Sequence, residues 1–432
     1  MNKLTLFIAC CTVLMFNTIY GQLSKEKKYE FLRNYEAPNF KQKRLNLYFD
    51  LGGGSKAKFS NNTGHFAERT SLGYYQYSNM NNYQGDFSSH ISSRINWDKS
   101  DLGSTFFSSN SLGMRTTNRF YFNPKWFVGV FGAAVVGHQY RSELELDDME
   151  AIGLSIEPTL SIGSGRLEPI QYARNAMDIE KQLKKGNRLG DDYSISELNQ
   201  IADQLAQINN VRFYDFRLRR IEQFEAIDAT LREIGGISDF DVAYFAHLAD
   251  AYLYAQSFRR ASGFRNEVGI ASSTRLDHSI SSAEVNDRLR YSANLYYYYS
   301  YNLPQSYAIQ HTLFTSAIIG VNAYKDSNIE EPYIEQNGWI NLGYEVGVFP
   351  TTRTNFNFGV KAGVESSGAD FGSELYANGA VYLSPQFRLS FEANYSPESD
   401  YRAPYFMAIP SIRADSYEYT FGGSISIQYA IF

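Results

Sequence analysis

The stretch Asn355-Phe356-Asn357-Phe358-Gly359-Val360-Lys361-Ala362-Gly363-Val364-Glu365 alternates without a slip. Its even positions are apolar; its odd positions are polar or glycine. Side chains of a strand change face at every residue, so this segment has one oily face and one face carrying a lysine and a glutamate. Phe387, Leu389, Phe391, Ala393 and Tyr395 repeat the pattern against Arg388, Ser390, Glu392 and Asn394, and Ile340, Leu342, Tyr344, Val346 and Val348 repeat it again. A soluble sandwich also alternates. It does not need strand ends crowded with tyrosine, as at Tyr296–Tyr299, Tyr301 and Tyr382, which suit the aromatic girdles of a membrane interface. The pattern predicts a transmembrane antiparallel β-barrel, the apolar set toward lipid and the polar set toward the lumen.

Proline sets the rhythm. Pro124, Pro304, Pro350 and Pro385 each separate two apolar runs, and proline cannot donate to a ladder, so these are turns. A polar turn at Asn79–Asn82 and the Lys43 region continue the spacing, which predicts about fourteen strands. Pro158 falls inside a strand and predicts a bulge.

Residues 166–260 break the pattern with four helices, between a barrel portion of about six strands at 43–165 and one of about eight at 261–432. The first helix has Pro169 at an N1-like position and ends near Gly186, with Tyr172, Ala176, Ile179 and Leu183 on one stripe. Ser194 and Glu197 form a capping box before Ile195, Leu198, Ile201, Leu205 and Ile208. The third helix carries Ile221, Phe224, Ile227, Leu231 and Ile234 and stops at Gly235-Gly236. The fourth, capped by Ser238, buries Phe240, Tyr244, Leu248 and Tyr252. The insert occupies a short-turn position, which makes it periplasmic if short turns face that compartment. Arg212, Arg217, Arg219 and Arg220 form a basic cluster. They either meet lipid phosphates, peptidoglycan carboxylates or a partner, or pair with Asp215, Glu222 and Glu225 on a solvated face.

Met1-Asn2-Lys3, the apolar run Leu4–Phe16 and Gly21 read as a secretory signal over 1–21, and residues 22–42 as a polar tail or short helix that either stays flexible or plugs the barrel mouth. Cys10 and Cys11 are the only cysteines, so the mature chain is read as having no disulfide or thiol chemistry. Phe7-Ile8-Ala9-Cys10 loosely resembles a lipoprotein cleavage site, the alternative for this segment. A net charge of −6 without a basic aromatic patch argues against nucleic acid.

Together the signal, the strand rhythm and the terminal phenylalanine resemble Gram-negative outer-membrane β-barrels as a broad class. Ile425, Ile427, Tyr429 and Phe432 resemble the terminal signal of that class, which implies recognition by the barrel assembly machinery and residence among outer-membrane lipid and lipopolysaccharide. The lumen set is read as Arg290, Glu345, Lys361, Glu365, Glu374, Arg388 and Glu392, at once an ion-pair lattice and a weakly selective pore lining. No two of the six histidines have metal-ligand spacing on one element, and no cofactor is expected. His90 and Ser92 brush the His-x-Ser core of the outer-membrane phospholipases, without that family's flanking residues.

The leading expectation is a non-enzymatic barrel whose helical domain docks a periplasmic or membrane protein, or gates, within a transport, secretion or assembly complex. A porin-like or uptake channel for small polar solutes, or less readily hydrophobic ones, is the alternative. An outer-membrane enzyme is the third.

Overall fold

The computed structural model describes residues 27–429 apart from 59–60, 101–102, 144–145, 210–215, 254–259, 282–284, 328–331, 352, 366–370, 385–386 and 398–418. The signal segment and Phe432 lie outside the described residues. Helix α1 spans Lys27–Asn34. Six long strands follow: β1 Phe40–Lys58, β2 Asn61–Met80, β3 Tyr83–Ser100, β4 Gly103–Tyr121, β5 Trp126–Glu143 and β6 Leu146–Ser164. Then come a short β7, Leu167–Pro169, and four helices: α2 Gln171–Lys185, α3 Ile195–Asn209, α4 Phe216–Ile234 and α5 Val242–Leu253. Eight more strands complete the sheet: β8 Ala261–Ser281, β9 Val285–Pro304, β10 Ile309–Asp326, β11 Tyr333–Thr351, β12 Thr354–Glu365, β13 Phe371–Tyr382, β14 Phe387–Pro397 and β15 Tyr419–Tyr429.

Apart from β7, which only flanks β8, the strands pair in chain order as an antiparallel meander of fourteen. The sheet curls on itself. Arg119 on β4 reaches Glu267 on β8, and Arg265 on β8 reaches Gln84 on β3.

The two faces have inverted polarity. Leu160, Ile270, Ile319 and Ile340 are 61–65% exposed on the outside, whereas Glu267, Lys361 and Glu374 are 3–9% exposed on the inside. A soluble β protein would place these the other way round. Apolar exposure outside and ionised groups inside make this a membrane-spanning β-barrel of the outer-membrane type. The outer band is clearest on β6, where Ile152, Leu154, Ile156, Leu160 and Ile162 are all exposed. That is about the 9–11 residues a tilted strand needs to cross a bilayer. The band abuts the end of the barrel that carries the helices. Beyond its other end the outward pairs are polar, His138 with Glu150 at 2.8 Å and Tyr140 with Asp148 at 3.0 Å.

Inside, rings lie over glycines of neighbouring strands. A Cβ on Gly343 would overlap the Phe314 ring, and one on Gly359 the Tyr376 ring.

Several local expectations are corrected. Of the two forms expected for residues 22–42, the short helix is present rather than a flexible tail: α1 packs Phe31 and Leu32 into one core with α2, α3 and α5. Pro169 sits in β7 bonded to β8, and Ile170 is the N-cap of α2. The helix does end at Gly186, its C-cap at φ −79°, with Asn187 next in the left-handed region. Gly186 is needed for space, because a side chain there would strike His247. Ile195 and Ile221, assigned to buried stripes, are 42% and 51% exposed. Asp241, not Ser238, caps α5, accepting the Tyr244 N–H at 2.9 Å. The capping box of α3 forms in both directions, Ser194 N–H to Glu197 Oε2 at 2.6 Å and Glu197 N–H to Ser194 Oγ at 3.3 Å. Pro158 makes no bulge: the β6–β8 register is the same before and after it, and the ladder simply lapses at Glu157 and Pro158.

Candidate functional site

The helices form a cap over the short-turn mouth. Arg260, just before β8, is 2% exposed. Its Nε donates to Gln310 Oε1 at 3.0 Å. Its two terminal nitrogens donate to the carbonyls of Tyr307 at 2.5 Å, Ser306 at 3.1 Å and Ile309 at 3.2 Å. The guanidinium lies 4.8 Å from the Phe349 ring centre. Only the planar fork of arginine reaches so many turn carbonyls at once.

Arg174 on α2 repeats the motif on the next turn, donating to Thr351 O at 2.7 Å and flanked by Tyr307 and Phe349. Asp178, one turn further along α2, accepts the Tyr307 hydroxyl. Burial pushes the Asp178 carboxyl up to about 6 against the pull of Arg174, Tyr307, Lys181 and Arg260. Burial and the like charge of Arg174 bring Arg260 down to about 9, so it remains a cation at neutral pH. Arg353 pairs with Asp250 of α5 on the β11–β12 turn. On the opposite wall Phe40 of β1 packs edge-on against Tyr172 at 5.6 Å. The cap is therefore fastened to both sides of the ring.

Above the cap the lumen holds a chamber of about 450 Å³. Arg119 bonds Glu267 at 3.1 Å, and the Tyr296 hydroxyl donates to the same carboxylate at 2.6 Å. Arg119 also lies 4.8 Å from the Phe131 ring centre. Asp86 accepts the Thr117 hydroxyl at 3.3 Å. Arg115 and Arg265 complete the cationic lining. A second chamber of about 310 Å³ lies further from the cap and includes Arg275, Arg290, Asn294 and Asn322. Glu157 lines both. Between them Tyr296, Ile318 and Trp339, adjacent across β9–β11, form an apolar collar.

Of the residues singled out from sequence, Arg290 lines the second chamber. Lys361 lies 3.6 Å from Glu374 and 4.3 Å from the Tyr376 ring centre, and Tyr376 donates to Glu345 at 2.9 Å. Arg388 lies 5.7 Å from the Tyr382 ring centre. Glu392 is exposed on β14, and the Glu365 side chain lies outside the described residues. Arg212 and the side chains of Arg217, Arg219, Arg220, Ile425, Ile427 and Tyr429 also lie outside them, although register pairs Ile425 with Phe391 and Ile427 with Leu389. The tyrosine run serves both faces: Tyr297 and Tyr301 are outside, whereas Tyr296 and Tyr298 line the inner chamber, so only half of it can join a girdle. His90 and Ser92 form no dyad. Ser92 Oγ lies 2.7 Å from Ser111 Oγ, and His90 sits over Gly113. Among the described residues no acidic or histidine cluster could hold a metal.

The inner chamber and the Arg260 anchor were not anticipated. On β3 and β4 both faces are polar, as at Ser88-Ser89 and Thr116-Thr117, so alternation carries no signal there. The acceptors of Arg260 lie some 46–50 residues away, where no local spacing can announce them.

No family model matches the chain, and no curated protein matches it. Solved structures with similar coordinates include the translocator domain of autotransporter NalP from Neisseria meningitidis, at 9% identity over 82% of this chain and 91% of that one, TM-score 0.29. The toluene transporter TbuX from Ralstonia pickettii has 7% identity over 87% and 88%, TM-score 0.29. The ferric yersiniabactin uptake receptor FyuA from Yersinia pestis has 7% identity over 91% and 66%, TM-score 0.34. At such scores the likeness carries no argument; the fold rests on the inverted polarity of the sheet.

Proposed function

We propose that the chain is a conduit for small polar solutes in the cell outer membrane, shut at its short-turn mouth by its own helical cap. The carrying observation is the buried seat of Arg260 in the carbonyls of the β9–β10 turn, directly below a charged chamber. A helical domain hung on as a docking module would not need its strongest polar network inside the barrel rim. The outer band ends at the cap, and short turns of such barrels face the periplasm, so the cap is periplasmic in this reading.

A second reading, docking of a periplasmic protein on the cap, is favoured by Val242 and Phe245. They lie one turn apart on α5 and are 86% and 42% exposed.

Single-channel conductance in planar bilayers separates the two. The full chain is compared with Arg260→Met and with Asp250→Cys/Arg353→Cys bridged by a short bismaleimide. A gate gives low current in the bridged form and raised current in Arg260→Met. Equal currents in all three forms sink the gate and leave the cap as a platform.

A further inference from the structure

Arg265 stands apart from the other charges of the inner chamber. Glu267 is satisfied by Arg119 and Tyr296, and Asp86 by Thr117. Among the described residues neither Arg265 nor Arg115 has a carboxylate within ion-pair distance. The Arg265 Nε is buried without a hydrogen-bond partner. Among the described residues its one hydrogen bond runs from its terminal nitrogen to Gln84 Oε1, at 2.8 Å. A guanidinium held by one neutral amide keeps most of its capacity for an anion.

Gln84 is itself 2% exposed and leads to the cap. Its amide nitrogen lies 2.9 Å from Leu167 O, 3.1 Å from Asn79 Oδ1 and 3.1 Å from the Tyr77 hydroxyl. Asn79 Oδ1 also accepts Arg166 at 2.9 Å. Leu167 opens β7, which runs into α2. The backbone passes through the left-handed region at Gly165, just before β7, with φ 84°, and at Gly263 of β8, the ladder partner of Leu167, with φ 106°. One chain of hydrogen bonds thus joins a chamber cation to the segment from which the cap hangs.

We propose that the inner chamber binds a small anion, a carboxylate or a phosphate group, through Arg265 and Arg115, and that its binding draws Arg265 off Gln84 and loosens the cap at β7. The lining is balanced, Arg115, Arg119 and Arg265 against Asp86, Glu157 and Glu267. Glu267 is taken up by Arg119 and Tyr296, and Glu157 sits at the far end, where the second chamber begins. An anion would compete with Asp86 for Arg115, while Arg265 keeps its free Nε. The coupling half rests on the gated-conduit reading; the binding half does not.

The test uses the purified full chain in detergent. Calorimetry measures binding of succinate, of inorganic phosphate and of sucrose as the neutral control, and hydrogen exchange follows Leu167–Lys185 with and without the anion. Binding of succinate or phosphate is expected, the tighter of the two identifying the group. It should weaken about tenfold in Arg265→Gln and in Arg115→Gln, as expected for losing a charged hydrogen bond. The anion should speed exchange over Leu167–Lys185 in the wild type and not in Gln84→Ala. Binding unchanged in both arginine variants, or sucrose bound as well as the anions, overturns the site. Anion binding that leaves exchange over Leu167–Lys185 unchanged overturns the coupling. Calorimetry needs no current, so failure of the gate in bilayers is distinguishable from failure of this site.

Discussion

Arg260→Met removes the centre of the cap's polar seat while keeping its length. The side chain satisfies the carbonyls of Ser306, Tyr307 and Ile309 and the Gln310 amide oxygen, and it lies on Phe349. Truncating one member of a buried charged network costs ~3–5 kcal/mol, because its partners stay buried and unpaired. The thioether refills part of the volume, and water reaches turn carbonyls at the rim, so the lower end applies. A loss of about 3 kcal/mol raises the undocked population of the cap by roughly two orders of magnitude. Hydrogen exchange of the full chain in nanodiscs reads this directly: peptides across Gln171–Lys185 lose protection and those of β9–β11 keep theirs. Arg260→Lys should fall between, since an ammonium cannot reproduce the fork. Lys184→Ala, which breaks an exposed pair with Asp192, should change nothing measurable. If α2 stays as protected in Arg260→Met as in the wild type, the cap is held by its apolar core alone and the anchor argument fails.

Asp178 makes docking depend on pH. Its carboxyl sits at about 6 when docked against 3.8 when free, so its contribution is complete below 3.8 and is lost as pH rises to about 6. The shift corresponds to about 3 kcal/mol. Protection factors over α2, with the intrinsic pH dependence of amide exchange divided out, should therefore be higher at pH 4 than at pH 7, with Asp178→Asn flattening the difference; wild-type protection factors that do not change with pH contradict the reasoning. Phe358, 50% exposed on the lipid side of β12, should not tolerate arginine, which costs ~2–4 kcal/mol near the bilayer centre; normal heat-modifiable assembly of Phe358→Arg would refute the face assignment. Gly343→Val pushes a side chain into the Phe314 ring and should cost ~1–3 kcal/mol, read as a lowered thermal midpoint; an unshifted midpoint would mean that the ring has room to turn away.

The strands were legible because a bilayer leaves one economical pattern. In β12 and β14 alternation and turn proline agree, and the face assignments of Phe358 and Lys361 follow from the sequence alone. The Ser194 and Glu197 capping box was legible because both partners lie within one turn. What could not be read is what the chain brings together from afar. Phe31, Leu32 and Tyr35 look like a short tail until they meet Leu198 and Tyr172 in one core. Nothing near Arg260 in sequence announces Pro304–Gln310, and a strand polar on both faces, as β4 is at Thr116-Thr117, hides its inward arginines.

The cap's core has a consequence for biogenesis. Its residues come from α1, β1 and the inserted helices, yet its polar seats lie on the β9–β10 and β11–β12 turns, which are translated later. During export the cap segment therefore emerges before the groove that receives it exists. Its loop-closure entropy is recovered only when those later hairpins arrive. A newly inserted chain stalled before β10 would carry an unseated, protease-sensitive domain at its short-turn mouth. Seating of the cap would then mark a finished barrel, a completion signal legible to whatever surveys the envelope for unfinished chains.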